Sequence, residues 1–176
     1  MKNKKRQNNL SKYWESYGGY KSILCSVYFW LAVIMASGAM PLISTSNNWW
    51  EVFLTIIPNL LGFSIGAYAL LIGMGNERFM LIISGESPKR AAKASPFIVM
   101  GSNFIHFILM QLLAVLLLIS AKLLYIPMPD FLRSILIDSE IMHLVYTASQ
   151  HTFYWLTLLI SFYALLLVMS AALHLL

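Results

Sequence analysis

Long apolar runs along the chain are separated by shorter polar breaks. Four runs reach the roughly 20 residues a helix needs to cross a hydrocarbon core. They lie at about 22–43, 52–75, 97–121 and 152–176. The expected fold class is therefore an all-α integral membrane protein with four transmembrane helices and short interfacial helices. The breaks are a tail at 1–21, a loop at 76–96 and a loop at 122–151.

Placed on a wheel at roughly 100° per residue, the second run resolves into faces. Thr55, Asn59, Gly62, Gly66, Ala69, Gly73 and Asn76 fall on one stripe. Small stripes let membrane helices approach closely, so this one is expected to pack on another span or on a second copy of the chain, or to line a pore with Thr55, Asn59 and Asn76 as its polar groups. Ser64 points to the other side. Pro58 removes one backbone bond within the same run. The third run carries Asn103, His106 and Gln111 as an intramembrane polar cluster. Asn103 and His106 share a face, Ser102 sits beside it, and Gln111 is turned away. Polar groups at this depth are costly unless paired. Thr157, Ser161, Ala164 and Ala171 form a small face on the fourth run, a natural partner for the stripe of the second.

Composition agrees: hydrophobic residues are 59% and charged residues 11%, too few charges to coat a soluble domain. The placement of charge then sets an orientation. Six of the 12 basic residues precede the first run, and Arg78, Lys89, Arg90 and Lys93 lie in the 76–96 loop. Lys122 and Arg133 are the two on the other side. Basic residues collect on cytoplasmic segments, so both termini are expected inside. Trp49, Trp50, Tyr125, Tyr154 and Trp155 mark the outer interface, and Tyr13, Trp14, Tyr17 and Tyr20 the inner one. Ser37-Gly38-Ala39 imitates a signal-peptide cleavage site, but about 20 residues precede that apolar run, and the expectation is an uncleaved span.

Outside the spans, Leu10, Tyr13, Trp14 and Tyr17 form an apolar helical face, read as an interfacial helix on the inner leaflet. Lys12, Trp14, Tyr17, Arg78, Lys89, Arg90 and Lys93 are the candidate contacts for anionic lipid or a cytoplasmic partner. Asp130, Arg133, Asp138 and Glu140 belong to the outer loop, which is expected to hold two short helical pieces and is the exterior surface large enough to sense something.

The chemistry suggested by residues 62–66, GFSIG, does not survive its context. A nucleophile elbow needs a strand, a turn and a helix, whereas Ser64 sits in mid-helix with no Asp or Glu in any span to orient a base. No two of the four histidines sit four residues apart, and Cys25, inside an apolar run, reads as a packed small hydrophobe. The expectation is no catalytic residue, no metal and no cofactor. Four cations in one loop are too few for direct nucleic-acid binding.

Four spans, a basic tail and the stretch Pro58 to Phe79, PNLLGFSIGAYALLIGMGNERF, resemble the membrane subunit (KwaA-like) of the Kiwa anti-phage defence system. The resemblance covers the layout of the whole chain and rests on no diagnostic motif. It implies a multi-pass protein of the bacterial inner membrane that detects phage attack and recruits or regulates a cytoplasmic DNA-binding partner (KwaB-like). The expected function is thus a non-enzymatic sensor or scaffold, homo-oligomeric in the lipid bilayer. The alternative is a small oligomeric channel or holin-like pore that depolarises the membrane.

Overall fold

The computed structural model describes residues 14, 17–43, 48–73, 96–125 and 140–173. Among them there is no strand. Five helices follow in order: α1 (Gly19–Leu24), α2 (Val27–Ile43), α3 (Trp50–Gly73), α4 (Pro96–Leu124) and α5 (Glu140–Leu173). Three of them are long and apolar enough to cross a membrane, over Trp50–Gly73, Gly101–Leu124 and Ile141–Ser170. The chain has the build of a multi-pass membrane protein.

Ring and side-chain contacts fix the directions. Phe29 meets Tyr163, and the Trp155 indole N–H donates to Ser37 Oγ at 3.2 Å, so α2 and α5 are antiparallel. Trp50 meets Tyr125 and Tyr68 meets Phe104, so α3 and α4 are antiparallel. His106 of α4 meets Tyr163 of α5 while Tyr125 lies near Tyr154, which makes that pair antiparallel too. The result is an up-down-up-down bundle in which α5 packs along both α2 and α4. In α5, 50% of the apolar window is buried against 11% in α3, so α5 is the central helix and α3 the peripheral one.

Small residues make the close packing. Ala32 and Ala36 of α2, Ala114 and Ala121 of α4, and Ala164 of α5 are all fully buried. Along α4 the inward positions Phe107, Gln111, Ala114, Leu118 and Ala121 recur every three or four residues, one continuous helical face. Trp50, Phe53, Ile57 and Ser64 likewise lie on one face of α3.

Two expected elements differ. The run at 22–43 is not one helix, because it breaks at Cys25-Ser26 between α1 and α2. Ser26 N–H donates to the Ile23 carbonyl, tightening the turn, and the Trp30 indole N–H takes the Leu24 carbonyl at 2.9 Å. That indole satisfies an acceptor the broken helix leaves without a backbone donor. Cys25 is exposed at this break rather than packed. At the other end of the chain, the piece beginning at Glu140 is no separate helix of a loop. No Gly or Pro falls between 140 and 173, nothing interrupts the helix, and it runs on into the fourth apolar run as α5.

Candidate functional site

The exposed stripe of α3 is one candidate surface. Thr55, Asn59, Gly62, Gly66, Ala69 and Gly73 are all exposed, on the side of the helix opposite Trp50, Phe53, Ile57 and Ser64. A Cβ added at Gly62, Gly66 or Gly73 would meet nothing within 4 Å. The stripe therefore packs on no described helix of its own chain, and the small face of α5 is not its partner. Thr157, Ser161 and Ala164 instead face the interior, with α2 and α4 as neighbours. The polar members of the stripe bond along their own helix: Thr55 Oγ1 donates to the Glu51 carbonyl at 2.9 Å and Asn59 Nδ2 to the Thr55 carbonyl at 2.8 Å. Ser64, in the interior, donates to the Leu60 carbonyl. Asn76 lies outside the described residues.

The second candidate is a polar seam inside the bundle. At one end the Tyr17 ring stacks on His106 with centroids 3.9 Å apart. The Tyr163 hydroxyl lies 3.3 Å from His106 Nε2 and also hydrogen-bonds the Tyr17 phenol. Which partner donates to the imidazole is set by its tautomer. Phe29 covers Tyr163 edge-on. Burial raises the Tyr17 phenol above its ordinary value, and the Tyr163 hydrogen bond opposes that shift. Tyr17 reaches this position because the next two residues, Gly18 and Gly19, both have positive φ, 96° and 65°. A side chain at Gly18 would collide with Ser22 Oγ as well as strain the backbone. Tyr17 is thus turned into the bundle rather than along a membrane surface. Trp14 lies edge-on to Tyr20.

Outward from His106 the seam continues through Gln111, Thr157 and Ser161, each fully buried. Because α4 and α5 are antiparallel and His106 faces Tyr163, Gln111 comes level with Leu158, between the two hydroxyl residues. Thr157 Oγ1 donates to the Phe153 carbonyl and Ser161 Oγ to the Thr157 carbonyl. The Gln111 side-chain nitrogen and oxygen have no hydrogen-bond partner among the described residues.

An aromatic layer closes the far end. Trp49 contacts Trp50, Phe53 and Tyr154, and Trp50 contacts Tyr125. Gln150 Nε2 donates to the Tyr154 hydroxyl at 2.9 Å. The buried Trp50 indole N–H has no partner among the described residues.

The expected polar cluster is therefore rearranged. His106 and Gln111 both face inward, with Ser102 also buried, whereas Asn103 is exposed. A wheel fixes angles between residues of one helix but not which angle faces protein, so Gln111 read as turned away. Tyr17 and Tyr163 were not assigned to this site. The Gly18-Gly19 pair was the available signal for Tyr17, since two glycines permit the reversal that inserts it. Of the other expected contact residues, Lys12, Arg78, Lys89, Arg90, Lys93, Asp130, Arg133 and Asp138 lie outside the described residues, and Glu140 is the first residue of α5. No three His, Cys, Asp or Glu side chains converge among the described residues.

Compared with protein-family models, with curated proteins and with solved structures, the chain matches none.

Proposed function

We propose that the chain is a self-associating, non-enzymatic scaffold and sensor of a bacterial inner membrane. It crosses four times, with both termini in the cytoplasm, and α1 with α2 makes the first crossing. The carrying observation is the outward stripe of α3, where six small or polar residues stand exposed with open space before three glycines. An exposed asparagine and threonine are poorly solvated by lipid, and small residues favour close helix contact, so a second copy is the natural cover. The basic 76–96 segment then faces the cytoplasm as the contact for a soluble partner. In the reading suggested by the resemblance to the Kiwa membrane subunit, that partner binds DNA.

One purification tests both halves. The intact chain is isolated from bacterial membranes beside Gly66→Ile and beside Lys89→Glu/Arg90→Glu/Lys93→Glu. The expected result is loss of oligomer mass for the first variant and loss of a co-purifying protein, at unchanged mass, for the second. An unchanged mass for Gly66→Ile refutes the interface, and unchanged co-purification refutes the contact.

A further inference from the structure

The interior seam has a polar middle and two aromatic ends. A glutamine amide offers two donors and an acceptor oxygen. In Gln111 none of these is used by a described residue, and both polar atoms are sealed from solvent. Burying such a group unbonded is costly. The oxygens of Thr157 and Ser161 spend their hydrogens on their own helix and keep lone pairs free to accept. A dry, hydrocarbon-like core would be better served by leucine and alanine at these three places. Water between α4 and α5 would satisfy all three.

The ends explain why the middle is sealed. At one end the Tyr17 ring lies flat on His106 and bonds to Tyr163. Tyr17 belongs to neither helix of the seam. It is inserted from the segment that precedes α1, across the Gly18-Gly19 turn. At the other end Trp49, Trp50 and Tyr154 close the bundle. Aromatic constrictions over a polar interior are how dewetting gates are built.

We propose that the seam is the closed state of a gated water path through a single bundle, that Tyr17 is its plug, and that it carries protons. Once the plug leaves, water reaches Gln111 from the Tyr17 end, and hydroxyls and water form one chain of oxygens. That chain passes the aromatic layer at the other end through the Tyr154 hydroxyl and its Gln150 partner. Each oxygen accepts one proton and releases another. His106 takes the proton on one ring nitrogen and releases one from the other. One proton leaves for each that enters, and O–H and N–H bonds alone are made and broken. The path needs no neighbouring chain, so it stands apart from the self-association of α3.

The test uses the full chain in liposomes holding a pH-sensitive dye, with valinomycin and a potassium gradient as the driving force. Wild type is expected to conduct slightly. Tyr17→Ala is expected to raise proton flux about tenfold, the change in open fraction given by about 1.4 kcal/mol of lost stacking and hydrogen bonding. Adding Gln111→Leu to Tyr17→Ala is expected to return flux to that of protein-free vesicles. Flux for Tyr17→Ala at the protein-free level overturns the proposal, as does full flux in the double variant. Current carried by sodium or potassium in place of protons overturns the assignment of the ion. A second readout does not depend on conduction: Gln111→Cys, made with Cys25→Ser, is exposed to a small methanethiosulfonate. Labelling should be slow with Tyr17 present and about tenfold faster with Tyr17→Ala, following the same shift. Equal rates sink the plug.

Discussion

At the scale of single residues, two side chains carry most of the argument, and each makes a stability prediction. Gln111 is fully buried with an unbonded amide. Gln111→Leu keeps the volume and removes the polar group, so it should raise resistance to thermal unfolding in detergent by roughly 1–3 kcal/mol. A loss of stability would mean that the amide is bonded after all. Tyr17 makes a prediction about pH. Burial lifts its phenol above the ordinary value of 10.0, so the neutral form is the one that docks. Its docking contribution is complete below that ordinary value and is lost as pH rises through the lifted one. Exposure of Trp14 and Tyr17 to aqueous quenchers should therefore increase at strongly alkaline pH, and the increase should vanish in Tyr17→Phe. The same alkaline release in that variant would count against the assignment. Neither role was legible beforehand. The wheel of α4 does not say which side meets protein, and Tyr17 is placed by a glycine turn rather than by its own periodicity.

At the scale of elements, the apolar runs located α3, α4 and the spanning part of α5, because length and hydrophobicity alone decide such helices. The stripe on α3 was legible as a stripe, but its direction was not. What fixes the direction is the stronger face opposite, Trp50, Phe53 and Ile57, which the bundle buries. The first run misled for a local reason. Nothing in KSILCSVYFW is a helix breaker, and the break at Cys25-Ser26 is held by a side chain six residues from the carbonyl it satisfies. Trp30→Phe keeps the ring beside Phe29 and removes the donor to Leu24. It should cost about 1 kcal/mol and appear as faster hydrogen exchange at amides 23–30. Unchanged exchange there would show that the break holds without the indole.

At the scale of the whole molecule, the helices that pack together differ widely in length. The 17 residues of α2 rise roughly 26 Å, while the 34 residues of α5 rise roughly 51 Å. A hydrocarbon core is about 30 Å thick. α5 is too long for it, while α2 reaches that thickness only together with α1. The surplus of α5 lies at its beginning, where Ile141, Met142, Leu144 and Val145 stand exposed beyond the Trp49–Tyr154 layer. Lipid beside α5 must then thicken or let the helix lean, while lipid beside the other helices need not. The bundle then wears a lopsided collar of deformed bilayer. Two copies that bring like sides together share one collar instead of keeping two, an attraction supplied by the lipid itself. It would deepen or fade as the surrounding membrane changed thickness.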